Sequence, residues 1–252
     1  MESLGGKYIT AEDVGINPKD MEYVGMETNH VSGLPKSLGG SGDPSPVTAY
    51  GVYMGMKAAA KKQFGRDSLE GKKIAIQGVG HVGETLVKHV SKEGAIVTIS
   101  DINLDRMNQV AKEYGATIVE GDGIYDVDMD IYAPCALGAT INDKTIERLK
   151  CAVVAGAANN QLDDERLHGR MLMEKGIVYA PDFLINAGGL INVYREVEGI
   201  SEARAMELTE NIYHTTVDIF KRSEERGVTP QVAAMQIANA RIDSIAKLKS
   251  TL

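Results

Sequence analysis

Six consecutive residues carry the sharpest chemical signal in the chain: Gly78-Val79-Gly80-His81-Val82-Gly83, a complete GxGxxG. The run follows an apolar, β-rich stretch, Ile74-Ala75-Ile76-Gln77, and opens a helix-like stretch from Val82 to Glu93. Strand, turn and helix in that order suit the pyrophosphate of a dinucleotide. The first glycine permits the tight turn, the second lets backbone approach the phosphates, and the third lets helix pack on strand. The helix start adds unpaired N–H groups. Asp101 follows about twenty residues on, ending the next β-rich run, where a carboxylate accepts from both hydroxyls of an adenosine ribose and repels a 2′-phosphate. The pattern predicts binding of NAD in preference to NADP through Gly78, Val79, Gly80, His81, Val82, Gly83 and Asp101. His81, although ionisable, faces phosphates or solvent in this frame, away from any reacting carbon.

Three more segments have the small residues and amides that a flat nicotinamide ring and a substrate carboxylate require. They are Ala133-Pro134-Cys135-Ala136-Leu137-Gly138, Ala155-Gly156-Ala157-Ala158-Asn159-Asn160-Gln161 and Pro181-Asp182-Phe183-Leu184-Ile185-Asn186-Ala187-Gly188-Gly189. The first two follow strand-like runs and so fall at the carboxyl edge of a parallel sheet, where such folds bind ligands. Cys135, Ala136, Ala157 and Asn159 are the expected cofactor neighbours there. The acidic run Asp126-Val127-Asp128-Met129-Asp130 resembles the start of a calcium loop, but Ile131 and Leu137 stand where that loop needs glycine and glutamate. It reads as a solvated turn, and no metal site is expected.

The elements that must position these residues alternate. Short apolar runs at 74–76, 95–99, 117–119, 130–133, 152–155 and 177–180 are suited to strands covered on both faces. Helical patterns at 82–93, 104–114, 143–150 and 163–175 separate most of them. This predicts an α/β fold, a doubly wound parallel sheet of the Rossmann type in order 3-2-1-4-5-6, with helices after Gly189 returning toward the helix that starts at Pro46. Ser45 and Pro46 suit its N-cap and first position, and Thr229-Pro230 suit those of a last helix near 230–249. Residues 1–40 read as irregular apart from a strand-like Tyr8-Ile9-Thr10, and are expected to attach loosely. The expected division is 1–45, 46–200 for the dinucleotide-binding unit, and 201–252 for the C-terminal helices.

Composition narrows the classes. The chain has 252 residues, 43% hydrophobic and 25% charged, enough for a sizeable core. Its net charge of −8 repels nucleic-acid backbone and anionic lipid, so neither is an expected partner. The two cysteines, Cys135 and Cys151, lack metal or disulfide spacing and read as small buried residues in a reducing compartment. No leader-like N-terminus or membrane-length apolar run is seen, which makes the cytoplasm the default location.

Five motifs in order then resemble the glutamate/leucine/phenylalanine/valine dehydrogenase superfamily, its leucine-dehydrogenase branch above all. They are Tyr8-Ile9-Thr10-Ala11-Glu12-Asp13-Val14-Gly15, the run from Gly42-Asp43-Pro44-Ser45-Pro46 to Val52, Tyr132 to Asn142, Ala155 to Leu162, and Tyr179-Ala180-Pro181-Asp182. The resemblance implies NAD-dependent oxidative deamination of a branched-chain L-amino acid to the 2-oxo acid and ammonia, by a homo-oligomer. It also implies roles: Asp13 as general acid/base, Thr48 near the nicotinamide carboxamide, Asn160 beside the reacting centre, and Leu190 and Val193 lining the side-chain pocket. Branched apolar residues there suit an aliphatic substrate, with discrimination of only about 1 to 3 kcal/mol per methylene.

Two lysines of the superfamily's N-terminal substrate domain, one for the substrate carboxylate and one catalytic, find no match in residues 1–252; Lys7 and Lys36 lie outside any such motif. The expectation is that 1–45 corresponds to the end of that domain and that the chain alone binds NAD but turns over slowly. Asp43 stands where relatives often have asparagine. Competing readings are a stand-alone NAD-binding module without turnover and a different Rossmann enzyme, the latter disfavoured by the motif order.

Overall fold

The computed structural model describes residues 1–13 and 15–249; Val14, in the first motif, and residues 250–252, at the end of the C-terminal helical region, lie outside the described residues. Six strands form one parallel sheet: β1 (Lys73–Gln77), β2 (Ile96–Ser100), β3 (Thr117–Ile118), β4 (Ile131–Pro134), β5 (Val153–Val154) and β6 (Val178–Tyr179). Their order is β3-β2-β1-β4-β5-β6, as the alternating pattern predicts. In a strand successive side chains point to opposite faces, and here both faces are covered. Ile74, Ile76, Ile99, Ile131 and Val153 enter one buried cluster, whereas Ala75, Tyr132, Val154 and Tyr179 enter another.

The helices are α1 (Pro18–Glu27), α2 (Ser45–Phe64), α3 (His81–Lys92), α4 (Leu104–Tyr114), α5 (Glu165–Glu174), α6 (Asp182–Ile185), α7 (Gly188–Glu198), α8 (Glu202–Glu210), α9 (Ile212–Arg226) and α10 (Pro230–Lys249). The buried residues of α2, α3 and α4 (Val52, Met56, Leu86, Val90, Met107) join the first cluster. Glu93, just past α3, locks that layer: Lys57 Nζ donates to it at 2.8 Å and the Leu69 N–H at 3.0 Å, and the Tyr53 hydroxyl donates as well. These donors hold its carboxyl below the usual range despite burial, which acts in the opposite direction. Helices α7 and α9 lie against α2, so the chain after Gly189 does return to the helix of Pro46. No helix among the described residues is long and apolar enough to cross a membrane.

Four local expectations are corrected. Residues 143–148 form turns, not a helix. The Asn142 side chain accepts from the Lys144 and Thr145 N–H groups, and the Thr145 hydroxyl donates to the Thr140 carbonyl at 2.6 Å, so local side-chain bonds compete with the helical ladder, of which the Ile146-to-Asn142 and Leu149-to-Thr145 bonds remain. The cap of α2 is Pro44, with Ser45 already helical and its N–H bonded to Asp43 Oδ1 at 2.8 Å. Residues 1–40 contain a true helix, α1, started by a capping box in which Asn17 and Asp20 satisfy each other's backbone N–H groups. The strand-like Tyr8-Ile9-Thr10 makes a single parallel bridge, Thr10 with Val31.

Candidate functional site

The site is built at the carboxyl edge of the sheet, where β1 leaves the core. The Gly78 N–H donates to the Ser100 carbonyl at 2.7 Å and the Cys135 N–H to the Gln77 carbonyl at 2.7 Å, tying the ends of β1, β2 and β4 together. Gly78 has φ +99°, and a Cβ on it would lie 2.7 Å from the Ala136 nitrogen. On Gly83 a Cβ would lie 2.0 Å from the Gly78 carbonyl oxygen, so α3 could not pack against the turn. A Cβ on Gly80 would meet nothing within 4 Å. The outer two glycines are thus required by neighbouring backbone, while the middle one faces open space at a helix start that no side chain caps. Uncapped N–H groups beside a residue without a side chain form an anion-binding geometry.

Val79 is fully buried and held from both sides. Its N–H donates to Asp101 Oδ2 at 2.7 Å, and Arg106 Nε donates to its carbonyl at 3.2 Å. Asp101 Oδ1 also accepts from the Asn103 N–H at 2.9 Å, so backbone fixes the carboxylate beyond the end of β2. His81 is exposed, its Nδ1 3.7 Å from Asp43. Val82 is partly buried against the first cluster.

On the other side of β1, the loops after β4 and β5 zip together. The Ala139 N–H donates to the Asn160 carbonyl at 2.7 Å, the Ile141 N–H to the Gln161 carbonyl at 3.0 Å, and the Asp163 N–H to the Ile141 carbonyl at 3.0 Å. Ala139 and Asn160 hold positive φ, 58° and 52°, which non-glycine residues adopt at a cost. Asn186 Nδ2 donates to the Ala157 carbonyl at 3.1 Å and to Asn159 Oδ1 at 2.6 Å, orienting that amide. Behind them Gln161 is fully buried: its Nε2 donates to the Gly156 and Ala158 carbonyls, and its N–H to Asp182 Oδ2. Its Oε1 has no hydrogen-bond partner among the described residues. Cys151 is buried as expected but Cys135 is only half-buried; burial of its thiol nevertheless pushes it up to about 12, away from the thiolate form.

The remaining residues come together where α7 starts on α2. A Cβ on Gly188 would lie 2.2 Å from the Val47 carbonyl oxygen, and one on Gly189 2.6 Å from Thr48 Oγ1. This brings Thr48, in the first turn of α2, beside the helix that carries Leu190 and Val193. The latter two differ in setting: Leu190 is 70% exposed, whereas Val193 is buried near Gly33. Asp13 is exposed, three residues beyond the bridge of Thr10 to Val31.

Sequence reasoning missed the residues that hold this side in place. Glu196 Oε1 accepts from the Gly33 N–H at 2.8 Å, the Ser41 N–H at 2.5 Å and the Ser41 hydroxyl, pinning 33–41 to α7. Glu12 has a buried Oε2 with no hydrogen-bond partner among the described residues. Burial, with the Asp43 carboxylate adding to it, pushes its carboxyl up to about 7. Asp182 and Gln161 lie inside quoted motifs and so could have been found. Glu196 has no local signal, because its partners are 155 and 163 residues away. Asp126 and Asp128, of the rejected calcium-loop pattern, pair with Arg148 and Lys73.

Comparison with known proteins gives this geometry its context. The sequence model of a family described as Glutamate/Leucine/Phenylalanine/Valine dehydrogenase matches residues 39–104 and 102–250. Leucine dehydrogenase of Thermoactinomyces intermedius is 55% identical over 251 residues, covering 100% of this chain and 68% of the relative. L-tryptophan dehydrogenase of Nostoc punctiforme is 44% identical, over 99% of this chain and 70% of the relative. The crystal structure of L-tryptophan dehydrogenase from Nostoc punctiforme superposes with a TM-score of 0.85 at 42% identity, covering 97% of this chain and 70% of that one. A hetero-hexameric glutamate dehydrogenase from Thermus thermophilus, at 22% identity, 96% coverage of this chain and 64% of that one and a TM-score of 0.78, shares the fold. A family match over most of the chain and a 55% identical relative, on a six-stranded parallel sheet, make this chain a member of the glutamate/leucine/phenylalanine/valine dehydrogenase family of amino-acid dehydrogenases.

Proposed function

We propose that this chain serves the NAD-dependent oxidative deamination of branched-chain L-amino acids, L-leucine foremost, to the 2-oxo acid and ammonia. The observation that carries the reading is the 55% identity to a leucine dehydrogenase across the whole chain. The residues present fit the cofactor. Gly80 opens onto free space at an uncapped helix start, where a pyrophosphate finds backbone donors, and Asp101 is held by backbone where the adenosine ribose needs an acceptor. When bound, the nicotinamide ring accepts the hydride that leaves the substrate Cα.

This chain supplies the cofactor side and part of the substrate side, while the two lysines of the superfamily's substrate domain find no match in it. Asp13 takes and returns the proton at the substrate nitrogen and at water, a task worth about 10² to 10⁴ in rate for a placed acid/base. Thr48 and the interlocked Asn160 flank the reacting centre, one from α2 and the other from the loop after β5. Leu190 offers exposed apolar surface to the side chain with the buried Val193 behind it on the same helix, which favours an aliphatic group over a charged one.

Substrate order, rather than absolute rate, tests the reading. NADH formation is followed with L-leucine, L-valine, L-isoleucine, L-phenylalanine, L-tryptophan and L-glutamate, alongside a fluorescence titration with NADH. L-leucine is expected to lead, and Asp13→Asn to lower its rate about a hundredfold or more. A lead for L-tryptophan or L-glutamate would overturn the substrate assignment, and failure to bind NADH would overturn the cofactor.

A further inference from the structure

We infer that Glu84 and Arg106 act with Asp101 as one charge set that selects the dinucleotide, Glu84 keeping Arg106 from serving as a receptor for an adenosine 2′-phosphate. The inference rests on the cofactor reading above and deepens it. Its starting point is Val79, the second residue of the glycine turn, whose N–H is bonded to Asp101 and whose carbonyl accepts from Arg106 Nε. One anion and one cation therefore flank the same residue, at the end of the turn that the adenosine ribose must reach.

The two charges are not equally available. Asp101 Oδ1 and Oδ2 accept from backbone N–H groups and the Asp101 N–H contacts Met107 Sδ, so no cationic side chain is bonded to the carboxylate among the described residues. Arg106, in contrast, is ion-paired through Nη2 with Glu84 in the first turn of α3. Both partners are largely covered, with side chains 30% and 20% exposed. A guanidinium is the side chain best matched to a phosphate, and Glu84 already occupies it with a carboxylate.

Counting charges around the turn shows why both carboxylates matter. Asp101, Glu84 and Arg106 together leave one net negative charge, which a 2′-phosphate must approach. Neutralising Asp101 alone leaves a cation still cancelled by Glu84, and neutralising Glu84 alone leaves Asp101 in place. Only the double change exposes an uncancelled guanidinium. Charge alone would make the two substitutions additive; the coupling comes from the Arg106 guanidinium, which is released to hydrogen-bond a 2′-phosphate only when Glu84 no longer holds it and gains from doing so only when Asp101 no longer repels the phosphate.

The test is equilibrium binding of NADH and NADPH to the full chain, read by nucleotide fluorescence and independent of turnover. Asp101→Asn keeps an acceptor for the Val79 N–H while removing charge, with Asp101→Ser as the second variant should the first fold poorly. We expect Asp101→Asn to gain about threefold in NADPH affinity, Glu84→Gln less than about twofold, and the double variant about a hundredfold, far more than their product. Adding Arg106→Met to the double variant should abolish that gain, and raised salt should shrink it. A double-variant gain equal to the product of the singles, or one that survives Arg106→Met, overturns the inference. Failure of the unmutated chain to bind either nucleotide would instead overturn the cofactor reading on which it rests.

Discussion

Gly78 and Gly83 are placed by backbone already fixed in the sheet and its neighbours, whereas the described residues of 1–43 are held mainly by side chains that reach in from elsewhere. In the first region the constraint is steric: β1, β2 and β4 converge, and a single added carbon would collide with a carbonyl or an amide. In the second, few large side chains are buried, Met21 among them, while Tyr8, Ile9, Ile16, Tyr23, Met26 and Leu38 remain exposed. Its ties to the rest of the fold are polar, through Glu196 and through Arg195 Nη2 to the Gly40 carbonyl at 3.5 Å. One side of the site is rigid before any ligand arrives. The other owes its position to a few hydrogen bonds, and is where opening should be easiest.

The largest effect should come from the steric side. Gly83→Ala forces α3 off the turn and is expected to cost about 3 kcal/mol in urea unfolding, with loss of NADH binding. An unchanged midpoint would mean that the turn yields more easily than its contacts imply. Next, Glu196→Ala should loosen 33–41 by about 2 kcal/mol, because a charged acceptor of three donors is lost. Amide exchange at Gly33 and Ser41 should accelerate while Ile74–Ile76 stay protected; equal acceleration in β1 would abolish the contrast between the two regions.

A smaller effect depends on pH. Glu12 keeps its proton up to about 7 in the folded chain but loses it near 4.5 when unfolded. The folded state then binds more protons in between, so this contribution is complete below about 4.5 and is lost as pH rises to about 7. Glu12→Gln should flatten that slope, making the variant the more stable protein at pH 8, as thermal unfolding at pH 5 and pH 8 would show. The smallest effect is expected at Asn17→Ala, where loss of the cap costs about 1 kcal/mol. Exchange should rise in α1 alone, and a shift in the global midpoint would show that α1 is coupled to the sheet after all.

The same contrast governs how much could be read from the chain alone. Strands β1, β2, β4, β5 and β6 announce themselves because cover on two faces demands continuous apolar runs, and α4 does so by its 3.6-residue period, whereas β3 lies at the sheet edge with Thr117 exposed. Gly78 to Gly83 is legible because its constraints are local. Residues 143–148 have a helical pattern yet form turns because Asn142 and Thr145 can satisfy nearby backbone groups in more than one way, with Ile146 and Leu149 packed in the core. Helix α1 carried a local signal in Asn17-Pro18 and Asp20. Glu196 and the Arg106–Glu84 pair carried none, since their partners are distant in sequence and any surface helix has such charges.

The zipper between the loops after β4 and β5 has a consequence for how this sequence can be varied or recombined. Four main-chain hydrogen bonds, the fourth from the Ala158 N–H to the Pro134 carbonyl at 2.9 Å, and two left-handed residues, Ala139 and Asn160, make residues 134–141 and 156–163 a single unit assembled from two stretches of chain. A chimera that swaps only one stretch with a relative, or an insertion placed in only one, would break main-chain pairing that no side-chain change can restore. Exchanged as a matched pair, the two stretches could be transplanted while the glycine turn across β1 stays untouched. The unit of inheritance on this side of the sheet is therefore a pair of loops, separated in the gene yet joined in the fold.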